Sequence, residues 1–184
     1  MNAMKRGDVL RTERLKHLEA LRALGVNPYP TTTKRTTTVA KALTETDRQV
    51  IVAGRVLAIR SHGKAMFLDV TDETGTIQIY AKADELGERF QELQLLDTGD
   101  FLEVSGQVFN TQLGQTTIHT VDFAILAKTL QPLPDQWQGL KDPEERYRKR
   151  YLDLLLNPEI RQLFDLRVKL IQATRQFMDT QGFT

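Results

Sequence analysis

The sequence predicts a mainly β protein, a five-stranded barrel with flanking helices. Three observations carry this. Between Val50 and Leu126 apolar residues alternate with polar ones over several short runs, whereas before Gly25 and after Asp142 they recur at helical spacing. Gly54 sits inside the first alternating run, where a strand glycine marks a bulge or bend. One short helical pattern interrupts the strands after the third, so the order is βββ-α-ββ, that of the OB barrel.

Residues 8–24 read as a helix with Leu10, Leu15, Leu18, Leu21 and Leu24 on a broad apolar face; Arg11, Arg14, Lys16 and Arg22 lie mainly elsewhere. Gly25 supplies a C-cap and Pro28 a stop. The Thr-rich run 31–38 reads as extended chain, because β-branched and hydroxyl side chains disfavour helix. Residues 1–49 are thus an N-terminal helix and an extended segment packing on the barrel. Barrel domain 50–130 holds strands at about 50–60, 65–71, 76–81, 101–110 and 116–126. Residues 72–75 form a hairpin turn in which Gly75 is available for positive φ. The helix at 84–96 carries Leu86, Phe90 and Leu93 on one face, and Leu113-Gly114-Gln115 turn strand four into strand five. Residues 131–156 read as a hinge. There Asp142-Pro143 with Glu145 forms an N-cap, a proline at the first helical position and a capping-box acid. Asn157-Pro158 repeats the cap-plus-proline signal. Ile160, Leu163, Phe164, Leu170, Ile171, Thr174 and Phe177 then follow a 3.6 period through segment 157–184.

Composition removes several classes of function. The 184 residues hold no cysteine and three scattered histidines, so no disulfide framework, thiolate site or metal centre is expected. No apolar run approaches the roughly 20 residues of a membrane span, and no apolar signal-type stretch opens the chain; no membrane partner and a cytoplasmic setting are expected. The net charge of +1 hides an asymmetry. Residues 1–30 carry six Lys/Arg against three Asp/Glu, and residues 141–184 carry nine against seven. Residues 50–128 carry six against eleven, so nucleic-acid contact by the barrel has to be local rather than a general basic coat.

Strand parity sorts the barrel side chains. Met66, Leu68 and Val70 point in, and Ala65, Phe67, Asp69 and Thr71 point out. Ile77 and Ile79 point in; Gln78 and Tyr80 point out. Beyond the expected bend, Leu57 and Ile59 point in; Val56, Ala58 and Arg60 point out. Arg60, Phe67 and Gln78 therefore share one outer face. An exposed ring stacks a base, and a guanidinium and an amide hydrogen-bond base edges or phosphate. His62 and Lys64, placed in the turn between strands one and two, are candidate phosphate contacts. His119 reads as a surface residue of strand five. There is no P-loop, no GxGxxG and no persuasive Ser/His/Asp order, so no catalytic residue is assigned.

The whole chain resembles the N-terminal part of bacterial-type class II lysyl-tRNA synthetases. The resemblance rests on the run from Leu21 to Pro30, Val52-Ala53-Gly54-Arg55, the run from Arg60 to Phe67, that from Asp72 to Gln78, and Gly99-Asp100. Most specific is the hinge: Pro132-Leu133-Pro134-Asp135, Gly139-Leu140 and the run from Arg146 to Leu154. The resemblance implies an anticodon-binding barrel whose partner is lysine tRNA. Phe67 matches the ring that stacks an anticodon base, and Arg60 and Gln78 match the residues that read uridine edges. The family carries an acid after the glycine of the strand four–five turn, where this chain has Gln115. The last helix resembles the beginning of class II motif 1, a dimer-interface element that the sequence leaves incomplete, and motifs 2 and 3 do not occur. ATP and Mg²⁺ are thus cofactors implied for a full-length homodimeric ligase, with none for these residues, which are expected to be inactive alone. Two other readings stay open on the residues: a free-standing OB module for single-stranded nucleic acid, and a helix-mediated interaction or dimerisation module.

Overall fold

The computed structural model describes residues 6–112, 114–133, 140 and 142–183. Leu113 of the predicted turn, residues 134–139 and 141 of the hinge, and Thr184 lie outside the described residues. The chain divides into two compact units, Met1–Pro132 and Leu133–Thr184.

In the first unit, β1 (Gln49–His62), β2 (Ala65–Thr71), β3 (Thr76–Lys82), β4 (Phe101–Asn110) and β5 (Thr116–Ala127) close a barrel in the order β1-β2-β3-β5-β4. Every neighbouring pair is antiparallel except β3 and β5, which are parallel. The five-stranded order, with a helix between the third and fourth strands, is the OB arrangement that the sequence predicts. Strand alternation fills the interior with Val50, Val52, Met66, Leu68, Val70, Ile77, Ile79, Leu102, Val104, Val108, Ile118, Phe123 and Ile125.

β1 departs from expectation. The register shift does not fall at Gly54. Val50, Val52, Gly54 and Val56 all face inward, so Val56 is fully buried rather than outward. The phase changes at Leu57, the extra residue of a bulge between Val56 and Ala58. Beyond it Ile59 packs on the core and Arg60 is exposed, as expected. Gly54 is required for a different reason. It lies where β1 exchanges β4 for β2 as its partner, and a Cβ there would stand 2.3 Å from the Thr71 carbonyl oxygen.

Helix α1 (Arg6–Ala23) ends at Gly25, whose φ of 78° is the left-handed cap expected of it. Its buried stripe is Arg14, Leu18 and Leu21, while Leu10, Leu15 and Leu24 are exposed. Arg14 is thus not on the polar side. Its guanidinium donates to the carbonyls of Thr98, Thr129 and Gln131 at 2.9–3.1 Å. The Thr-rich run is extended and lies along β1, with Thr36 N donating to the Ile51 carbonyl at 2.9 Å. The buried Glu103 carboxylate accepts from Thr33 Oγ1 and Lys34 N, each at 2.5 Å. A short helix, α2 (Val39–Ala42), follows, capped by Thr38 and sending Val39 and Ala42 into the core.

The β2–β3 turn does not use Gly75 at positive φ. The Asp72 carboxylate holds it, accepting from Thr74 N, Thr74 Oγ1 and Gly75 N, and it ties the turn to α2 through Val39 N and to Arg35. The predicted helix at 84–96 is broken into α3 (Ala83–Leu86), one 3₁₀ turn (Gly87–Arg89) and α4 (Phe90–Gln94). Gly87 at φ 58° makes the break, and Phe90 and Leu93 are still delivered to the core.

In the second unit, α5 (Pro143–Arg148), α6 (Arg150–Leu156) and α7 (Pro158–Thr180) follow one another. Asp142 caps α5 as predicted, accepting from Glu144 N and Glu145 N. The Glu145 carboxylate turns to Lys149 instead of closing a capping box. Asn157 precedes α7 without capping it; its amide donates to Asp153 Oδ1 at 2.6 Å. Asp153 is fully buried and also meets Arg146 and Arg150. The apolar stripe of α7 is present, with Leu163, Leu166, Leu170, Ile171 and Phe177 exposed along it.

Candidate nucleic-acid interface

Two cross-strand rows form on the outer face of β1, β2, β3 and β5. Register places Arg60 opposite Phe67, Phe67 opposite Tyr80, and Tyr80 beside His119. The second row runs Asp69, Gln78, Thr117. The expected trio of Arg60, Phe67 and Gln78 is therefore brought onto one surface, each residue half-buried or exposed.

Phe67 does not stand alone. Its ring stacks on Tyr80 with centroids 4.8 Å apart and planes inclined by 28°. His62 meets its edge at 6.3 Å. Tyr80 continues the layer to His119 at 5.6 Å and Phe109 at 6.5 Å. Lys82 Nζ lies 5.6 Å from the Tyr80 centroid. The result is a continuous aromatic platform, a surface on which bases stack whatever their sequence.

The polar groups on the face are paired. Arg60 donates to both carboxylate oxygens of Asp69, each at 2.7 Å, and those bonds raise the guanidinium pKa. Lys82 meets Glu85 at 3.3 Å; the other Glu85 oxygen lies 2.5 Å from His119 Nε2 but makes no hydrogen bond to it. Lys64 meets Asp84 at 2.9 Å, both well exposed. A face whose cations are matched by carboxylates offers little net attraction to phosphate; it favours contact with bases. Gln78 Oε1 accepts from Thr117 Oγ1 at 3.1 Å, so the amide is held at one end.

Of the other expected residues, His62 is not in the β1–β2 turn. It is the last residue of β1, paired with Ala65, because Gly63 at φ 59° makes the turn in two residues with Lys64. That places its ring against Phe67. Gln115 is exposed beside Gly114 (φ 81°), its main chain bonded in both directions to Thr111. His119 is half-buried within the aromatic layer rather than a plain surface residue. The sequence reading did not single out Tyr80, Phe109, Asp69 or Thr117. Parity placed Tyr80 and Asp69 outward, and a count of outward aromatics in adjacent strands would have joined Tyr80 to Phe67. Thr117 carries no local signal, since its place beside Gln78 depends on the parallel β3–β5 pairing.

This barrel and its stacked outer face define a nucleic-acid-binding module. Residues 50–133 match the family of OB-fold nucleic acid binding domains, and residues 142–184 match the class II tRNA synthetases of the D, K and N group. Along nearly its whole length the chain is similar to class II lysine–tRNA ligases. It is 43% identical to the lysine–tRNA ligase of Thermoanaerobacter sp. (strain X514), over 99% of this chain and 38% of that protein. The lysine–tRNA ligase of Carboxydothermus hydrogenoformans is 45% identical over 92% of this chain and 36% of its own length. That of Clostridium tetani is 40% identical over 100% and 38%. The chain thus spans a little over a third of the relatives it matches. Among the described residues no helix is long and apolar enough to cross a membrane.

Proposed function

We propose that the barrel recognises the anticodon stem-loop of lysine tRNA. The observation that carries this is the Phe67–Tyr80 platform flanked by Arg60 and Gln78 on the outer face of an OB barrel. Phe67 stacks an anticodon base. Arg60, held flat by Asp69, and Gln78, held by Thr117, meet uridine edges. Gln115 stands in the adjoining turn, where its amide both donates and accepts. Lys64 and His62 lie where the strand would pass the rim of the face. The setting is cytoplasmic, where tRNA is charged.

The protein to which these residues belong acts, in this reading, as a homodimeric ligase that joins lysine to tRNA using ATP and Mg²⁺. The relatives carry that name, and the last 43 residues match class II synthetases. These 184 residues contain none of the motifs that would hold ATP, metal or lysine, so by themselves they bind tRNA without activating the amino acid. Stem-loops with UUU and with unrelated anticodons, titrated at one salt concentration, test the first part. Preference for UUU is expected; equal binding of all loops overturns it in favour of an indiscriminate single-strand binder. Lysine-dependent ATP–pyrophosphate exchange by the 184-residue chain would overturn the second.

A further inference from the structure

Thr117 lies on the outer face, yet it is fully buried beneath Gln78 while its neighbour His119 is half-buried. Its Oγ1 stands 3.1 Å from Gln78 Oε1 and 3.2 Å from the Gln115 carbonyl oxygen. That carbonyl already accepts from Thr111 N at 2.9 Å. A hydroxyl carries one proton, and a primary amide presents an acceptor at one corner and two donors at the other. With the proton directed to Oε1, the amide oxygen is held against β5 and Nε2 turns its two N–H groups toward the open side of the face.

We propose that Thr117 is the positioning residue that makes Gln78 discriminate uridine from cytidine. An unrestrained glutamine is a poor judge of pyrimidines, because turning the amide over exchanges donor for acceptor. Uridine offers the O4 acceptor where cytidine offers its N4 amino donor, so an amide locked with donors outward matches the first and opposes the second. The lock comes from β5, across its parallel pairing with the strand that carries Gln78. The inference rests on the anticodon reading above and assigns its pyrimidine choice to a residue that does not touch the base.

The test is titration of the 184-residue chain with a UUU stem-loop and with three loops in which one uridine is replaced by cytidine. Thr117→Val keeps the shape of the side chain and removes the hydroxyl; Thr117→Ser keeps the hydroxyl. In Thr117→Val the preference for UUU over one of the cytidine loops should fall roughly fivefold, the worth of one neutral hydrogen bond. Affinity for UUU itself should change little, and Thr117→Ser should retain the parental preference. An equal loss for all loops would mark Thr117 as merely structural and overturn the proposal, as would an unchanged preference. Should Thr117→Val fail to fold, judged by thermal unfolding, Gln78→Glu decides. The Thr117 proton then meets one carboxylate oxygen and an acceptor faces outward, so preference must move toward cytidine; if it does not, the proposal falls. A parental chain that shows no preference among the loops overturns the anticodon reading itself, and the parental arm separates that result from the others.

Discussion

Phe67 and Leu68 are adjacent in sequence and opposite in consequence. Phe67 faces outward, supported by Tyr80 on one side and His62 on the other, whereas Leu68 is fully buried among the strands. Phe67→Ala should weaken stem-loop binding by about 1–3 kcal/mol, the value of one stacked base. It should also cost about 0.5–1.5 kcal/mol of stability through the lost aromatic pair. Leu68→Ala should cost about 2–5 kcal/mol of stability, with binding lost only as far as the barrel unfolds. Urea titrations of both variants beside stem-loop binding check the assignment; unfolding by Phe67→Ala with intact binding in the folded fraction would invert it. Arg60 is a second residue whose surroundings decide its role. Clamped by Asp69, it is a flat donor rather than a mobile cation. Asp69→Asn should release it toward phosphate. The slope of log affinity against log salt should then steepen by roughly 0.7, the single-strand value for one added phosphate contact. Preference for UUU should narrow at the same time. An unchanged salt slope would show that Arg60 stays on a base without the clamp.

At the scale of the element, β1 shows where strand periodicity is readable and where it is not. Met66, Leu68, Val70, Ile77 and Ile79 obeyed alternation because β2 and β3 are short, regular and turned by local chemistry at Asp72. β1 is 14 residues long and pairs with two strands in succession, so its phase has to slip once. The only strand-breaking residue in the run is Gly54, which invites the slip to be placed there. The slip is at Leu57, whose side chain gives no sign of a bulge, and Val56 was therefore assigned to the wrong face. Gly54 answers to a close approach between β1 and β2, which no one-dimensional pattern records. Gly54→Ala should be destabilising by about 3 kcal/mol, the upper end of the usual overpacking range, because its Cβ would meet main chain rather than a yielding side chain. Gly7→Ala, with nothing within 4 Å, should cost nothing measurable. Chemical denaturation of the pair checks this. A neutral Gly54→Ala would mean that β1 and β2 can part there without loss.

Over the whole first unit, order and face were legible, while the ties between the N-terminal segment and the barrel were not. Helix α1 was expected to pack through leucines, yet Arg14 takes a central place because the main-chain carbonyls of Thr98, Thr129 and Gln131 accept from it. Such ties join residues 80 or more positions apart and leave no local trace. Ties across the unit also set the titration of two carboxylates. Burial raises the Asp97 carboxyl, but hydrogen bonds from Lys128 and His17 outweigh it and leave its pKa below the ordinary 3.8. Asp72 behaves alike: burial raises it, and Thr74, Val39 N and Arg35 bring it below the same value. A carboxylate with a lowered folded pKa contributes stability above its unfolded value, because there both states are ionised and the native contacts are intact. As pH falls below that value the unfolded chain takes up the proton first, and stability is lost until the folded pKa is passed. Unfolding free energy should therefore hold near neutrality, decline as pH drops through about 4, and keep declining below it. Asp97→Asn removes one titrating group while leaving Lys128 its bond to the fully buried Asp100. It should lower stability at neutral pH and flatten the acid limb, so that the variant and parent curves converge at low pH. Urea unfolding at a series of pH values from about 7 to about 2 measures both curves. Parallel curves, separated by the same amount at every pH, would show that Asp97 stabilises by shape alone and that its charge is not what ties α1 to the strands.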